Sequence, residues 1–261
     1  MNMFQFACLP ITTALMVACG GGGGGNAPTA ATATTTTKAE GVYAGSFKST
    51  AFPSGAFNAI VLEDDSAWAI YGTADSQGRS TVYGFVNGSG TSTNGTYTAA
   101  SAKDFYYSGT VASGTLNATY SPGVSFAGTA TGLTGGTATY SGTTAAITGY
   151  TYASPASLSA IAGTWAGFIL SGAAATLTIA SGGTYTGASA GCTFSGTFTP
   201  RASGKNVFDV SYVNGAAPCV PPGLMAQGIG VASSLANGQK QLIVALTTES
   251  KSAGTVFFAQ R

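Results

Sequence analysis

In the stretch CTFSGTFTP, Cys192, Phe194, Gly196 and Phe198 alternate with Thr193, Ser195, Thr197 and Thr199. A period of two places successive side chains on opposite faces of a pleated strand, so this is a strand with one face buried and one face wet. The same alternation puts Leu177 and Ile179 inward in AATLTIA, Phe208, Val210 and Tyr212 inward in NVFDVSY, and Leu242, Val244 and Leu246 inward in KQLIVALT. Between such runs lie Asn87-Gly88, Asn94-Gly95, Gly182-Gly183, Asn214-Gly215 and Asn237-Gly238, pairs that accept the positive φ of tight hairpin turns. The pattern predicts an all-β chain built as an antiparallel meander. Outside the first residues, the only helix expected is about one turn near Pro155 to Ile161.

An internal echo sets the number of units. GVYAGSF (Gly41 to Phe47) and GTWAGFI (Gly163 to Ile169) each open a strand-rich stretch of similar length, and each is followed by a strand–turn–strand, AIVLEDDSAWAIYG and ATLTIASGGTYTG. Self-similarity at this spacing predicts two copies of one β unit, residues 39–152 and 153–261, with a seam at TYASPASLSA, residues 151–160. Two closed up-and-down barrels would leave no exposed strand edges. Few contacts need cross such a seam.

The first 38 residues address location. The apolar run from Phe4 to Ala18 contains Pro10 and is too short for a bilayer core, which takes about 20 helical residues. It fits the apolar region of an export signal, residues 1–18. Residues 20–38 hold six glycines in a row, then Ala and Thr with one Pro, and little that could fill a core. They are expected to be disordered. With Cys19 they form a tether that reaches roughly 65 Å when stretched.

Four cysteines occur. Cys8 belongs to the signal segment, and Cys192 and Cys219 form an even pair, one on a strand and one in the proline-rich turn APCVPPG. In an exported chain that pair reads as a disulfide. A zinc site is the alternative, and two cysteines in a chain without histidine make a poor zinc shell.

Met16, Val17, Ala18 and Cys19 resemble the lipobox of bacterial lipoproteins. The resemblance implies that Cys19 becomes the diacylated N-terminal residue. Gly20, where a retention signal would place Asp, implies the outer membrane. The other reading is an ordinary signal peptide cut after Ala18, which leaves Cys19 a free thiol. The Gly-x-Tyr/Trp-x-Gly openings and the strand count resemble the calycins, the lipocalin and avidin superfold. That likeness implies that Trp165 packs across the end of the second barrel and Tyr43 across the first. The whole plan of lipobox, glycine tether, two β lobes and a final strand GTVFFAQR also resembles the Gram-negative surface lipoproteins typified by transferrin-binding protein B and factor H-binding protein. It implies a non-enzymatic binding protein.

Charge and motifs exclude more than they assign. Only 7% of the residues are charged and the net charge is +1, so nothing draws nucleic acid electrostatically. GASAG (Gly187 to Gly191) matches the nucleophile-elbow pattern at Ser189, but the elbow needs a strand-to-helix turn and a histidine base, and the chain has no histidine. Glu63, Asp64 and Asp65 are expected to form a solvated hairpin turn, since three adjacent carboxylates supply only part of the shell of a hard cation. Glu40, Asp75, Asp104, Asp209 and Glu249 are the remaining carboxylates considered, and spacing does not say whether any two meet. In DFYYSG, consecutive tyrosines on a strand point to opposite faces, so one of Tyr106 and Tyr107 is expected outside and the pair are candidate binding residues. No cofactor and no metal site is expected. The function that follows is display of barrel lobes that bind a protein or glycan partner, with a small apolar ligand or a structural role in the envelope as alternatives.

Overall fold

The structure, a computed structural model, describes residues 37–74, 80–144, 149–235 and 237–261. The segment expected to be an export signal, Cys19, and nearly all of the expected tether lie outside the described residues. Beyond residue 35 the chain forms one compact unit.

Eight strands, β1 (Gly41–Ser49), β2 (Gly55–Val61), β3 (Ser66–Ala74), β4 (Ser80–Thr93), β5 (Thr96–Tyr106), β6 (Val111–Ser121), β7 (Ser125–Leu133) and β8 (Gly136–Thr143), make a closed antiparallel barrel in chain order, β1 pairing with β8. A second closed barrel follows from β9 (Gly163–Ile169), β10 (Ala174–Ile179), β11 (Thr184–Ser189), β12 (Cys192–Pro200), β13 (Phe208–Asn214), β14 (Met225–Ser234), β15 (Lys240–Thr247) and β16 (Gly254–Gln260), with β16 pairing β9. A helical turn, α1 (Leu158–Ile161), precedes β9, within the stretch where a turn of helix is expected.

The echo between Gly41 and Gly163 has a physical basis. Tyr43 and Trp165 are each the third residue of the strand that opens a barrel, and both are fully buried. Tyr43 donates its hydroxyl to Ala39 O at 2.8 Å and Trp165 donates Nε1 to Ile161 O at 2.6 Å, in each case four residues back. Each ring thus fastens the chain entering its barrel. The Arg261 guanidinium lies 4.0 Å from the Trp165 ring centroid, adding a cation–π contact from the end of the last strand. Two residues after each ring, Gly45 and Gly167 face the closing strand. A Cβ there would lie 1.9 Å from Ser141 O and 1.8 Å from Phe258 O, so closure of each barrel requires glycine at that place.

The inward faces match the alternation. Leu177, Ile179, Phe194, Phe198, Phe208, Val210, Leu242, Val244 and Leu246 all lie in the second barrel's core, with Tyr212 packed against it. Asn94 and Gly95, at φ 48° and 81°, make the β4–β5 hairpin, and Gly183 and Gly238 sit in turns with positive φ. Asn87-Gly88 is not a turn: both residues lie inside β4, paired to Trp68 and Ala67 of β3. There the Asn87 amide is buried and donates to Ala67 O at 3.3 Å.

Side-chain packing joins the barrels in two apolar clusters, where the sequence predicts few contacts across the seam. The outward side chains Val42, Ile60 and Leu62 of the first barrel pack with Val207 and Ile229 of the second. Beside them, Phe85 and Phe105, stacked at 4.5 Å between centroids, pack with Leu170, Ala245 and Val256. Gly254 makes room for that stack, since a Cβ there would come within 2.7 Å of both rings. Arg201 crosses from the second barrel to Glu63 at 2.7 Å and Asp64 at 2.7 Å while also holding Asp209 at 2.6 Å. Lys205 meets Glu40 at 2.7 Å. The Glu63–Asp65 segment is the β2–β3 turn, as expected, but its acids are clamped rather than left to water. Lys38, assigned to the tether, is likewise docked, its Nζ lying 2.7 Å from Glu63 O and 3.1 Å from Asp65 Oδ2.

Candidate functional site

The first barrel is lined by tyrosine, phenylalanine and many alanines, among them Ala59, Ala67, Ala99, Ala102, Ala118 and Ala130. Large rings seal one end. Tyr43, Tyr97 and Tyr120 pack there around Phe126, and Tyr97 donates to Asp65 O at 3.0 Å. Toward the other end the small side chains leave a cavity of about 100 Å³. Phe52, from the β1–β2 loop, covers it, packing on Phe47, Tyr71 and Tyr83 with centroids 6.1, 6.3 and 5.3 Å away. Ser49 Oγ accepts from the Phe52 amide at 3.0 Å and fixes the loop that carries this ring.

Tyr106 and Tyr107 stand at the same rim. Strand β5 ends at Tyr106, and the turn that follows, closed by Gly109 N to Tyr106 O at 2.9 Å, brings the two rings side by side, 4.5 Å between centroids, instead of on opposite faces. Tyr107 is 49% exposed and Tyr106 is half-buried against the core. With Phe52 and Tyr83 they form one run of rings across the barrel mouth. Alternation predicted opposite faces for the two tyrosines, an expectation the turn after β5 overturns, and it gave no sign of Phe52, which lies in a loop with no period.

Beneath the rim Asp104 points inward and is 1% exposed. Its carboxylate accepts from Tyr71 OH at 2.8 and 3.1 Å and from the Thr134 amide at 2.9 Å. Burial raises its pKa above the ordinary carboxylate range, opposed only in part by these hydrogen bonds. Burial, and then the charge of Asp104, push the Tyr71 phenol far up, so it remains a donor. No salt bridge reaches Asp104 among the described residues. Of the other carboxylates considered, Asp209 meets Asp64 only through Arg201, Glu40 pairs with Lys205, and Asp75 lies outside the described residues.

The second barrel opens into a cup of about 410 Å³, lined by Leu177, Phe194, Tyr212, Leu246 and Phe257 among others. Cys192 and Cys219 are joined by a disulfide at its edge. It ties the start of β12 to the loop of residues 215–224, whose Val220 is 88% exposed. Asn214 anchors the same loop, donating to Pro221 O at 2.9 Å and accepting from Tyr212 OH at 2.5 Å.

Ser189 ends β11 in a strand–turn–strand and donates to Ala174 O at 2.8 Å, the position of a hairpin serine. Among the described residues no group of three His, Cys, Asp or Glu side chains is placed to hold a metal ion, and no helix is long and apolar enough to cross a membrane.

No protein-family profile matches the chain, and no curated protein sequence matches it. Among solved structures, the vaccine antigen transferrin-binding protein B of Haemophilus parasuis, in a tryptophan-to-alanine variant, is similar at 10% identity and a TM-score of 0.28, over 79% of this chain and 51% of its own. This chain therefore spans about half the length of that protein. A protein of unknown function from Nostoc punctiforme is similar at 9% identity and a TM-score of 0.27, over 85% of this chain and 96% of its own. Likeness at this level carries no argument about function.

Proposed function

We propose that this chain is a non-enzymatic binding protein, held at the outer membrane through a lipid on Cys19, that presents two joined barrels and takes a protein or glycan partner at the aromatic rim of the first. The observation that carries the reading is the run of Phe52, Tyr83, Tyr106 and Tyr107 across the barrel mouth, with Tyr107 half in water. Tyrosine offers large, stiff contact area and a hydrogen-bonding tip at low entropic cost, and it is enriched in interface cores. A pull-down from cell envelopes and culture fluid with the parent and with a Tyr106→Ser, Tyr107→Ser variant tests it. Partners captured by the parent and lost by the variant support the rim; partners retained by both place the contact elsewhere.

A second reading has its own support. The cup in the second barrel is concave, largely apolar and of a size that takes a small ligand, which favours carriage of an apolar molecule. Native mass spectrometry of the purified protein decides it: a bound lipid or metabolite removed by Leu246→Trp belongs to the cup.

A further inference from the structure

We propose that the cavity of the first barrel binds a small organic cation, a protonated amine with a compact apolar body, whose ammonium group pairs with the Asp104 carboxylate. This goes beyond a partner at the rim, which needs no cavity beneath it. A carboxylate buried without a counter-charge is costly, and sequences meet the same packing need with neutral side chains when charge has no use. Here the ionisable group is kept at the wall of an apolar cavity. Two donors hold it, the Tyr71 hydroxyl, whose single proton is shared between the two carboxylate oxygens, and the Thr134 amide, and the described residues give it no cation. Thr134 Oγ1, buried on the same wall, has its hydroxyl beside the Asp104 carboxylate, where it favours the charged form, and accepts no hydrogen bond. It is a spare acceptor for a second ammonium proton.

The rest of the lining suits the carbon body of such a ligand. Phe47, Phe57, Phe126 and Tyr140 present rings to the cavity, and ring faces attract a cation as well as an alkyl surface. A neutral apolar ligand would leave the carboxylate unpaired, and an anion would meet it at close range; both are disfavoured by the same charge that recruits an amine. The space of about 100 Å³ is smaller than the roughly 150 Å³ cavity that accepts benzene, so the ligand is smaller than benzene, with a body of about three or four carbons. Phe52, the loop ring over the cavity, must move aside for entry.

The test titrates the purified full-length protein with n-butylamine and pyrrolidine, and with 1-butanol as the neutral counterpart, read by ligand-observed NMR and by the shift in melting temperature. The amines are expected to saturate one site and to bind at least tenfold more tightly than the alcohol. Asp104→Asn should erase that preference while leaving the weak alcohol binding in place. Ala130→Leu, which fills the cavity without touching the carboxylate, should abolish binding of both and keeps the test valid if the Asp104 variant folds poorly. Absence of saturable amine binding in the parent, or amine binding that survives Ala130→Leu, overturns the proposal. Failure here leaves the rim reading intact, since that reading is scored on the Tyr106 and Tyr107 variant.

Discussion

Asp104 and Asp64 answer to pH in opposite directions. At Asp64, burial raises the pKa, but the Ser66 hydrogen bonds and the Arg201 guanidinium outweigh it and hold the carboxyl below its ordinary value. Its contribution to stability is therefore present above the unfolded carboxylate range and is lost as pH falls through the lowered value. Since half of that side chain is exposed, the contribution is small. Asp104 is raised by burial, so the folded state holds its proton more tightly than the unfolded chain, and stability falls as pH rises through the raised value. Chemical denaturation of the parent and Asp104→Asn from about pH 4 to pH 8 should show the balance moving toward the variant as pH rises; a difference that stays flat contradicts a costly buried charge. Trp165 makes the other residue-scale prediction. Truncation to Ala removes a fully buried indole and its bond to Ile161 O, and urea denaturation should register a loss of about 3–5 kcal/mol.

Each barrel closes where its first strand meets its last, and Gly45 and Gly167 are the places where the closing backbone leaves no room for a methyl group. Gly45→Ala and Gly167→Ala are each expected to cost about 1–3 kcal/mol, measured by denaturant midpoint, and values near zero would mean that the seams are looser than described. The disulfide acts on another element, the 215–224 loop. Reduction should cost about 3–4 kcal/mol on the chain-entropy model, with Cys192→Ser, Cys219→Ser giving the same loss. The strands, the second barrel's inward faces and the disulfide pair were legible in the sequence, because alternation, hairpin pairs and an even cysteine count are local signals. Asn87-Gly88 misled for a local reason too: the pair has turn chemistry, but a buried partner carbonyl on β3 holds it in a strand. Nothing local revealed that Ile60, Trp68, Phe85 and Phe105 face a second barrel. An outward apolar residue on a strand looks the same whether its cover is solvent or a neighbour, and the covering residues Ile229, Ala245 and Val256 lie more than a hundred positions away. Asp104 and Phe52 escaped for the same reason, since the cavity exists only once the barrel is closed.

Across the whole molecule, the two barrels share a continuous apolar face flanked by the Arg201 clamp on Glu63 and Asp64. Interfaces within a chain are often polar and loose, but this one buries stacked phenylalanines against aliphatic strands. Gly254→Val would drive a branched side chain into the Phe85–Phe105 stack and should lower the melting temperature without touching either barrel's interior. Such a face means that each barrel covers outward apolar side chains of the other, so the two are expected to unfold together. Differential scanning calorimetry of the full-length protein and of Trp165→Ala tests this most directly. One cooperative transition is expected in the parent and one in the variant, displaced to lower temperature, with the first barrel melting together with the damaged second. Two transitions, with the first barrel's unmoved by Trp165→Ala, would contradict it.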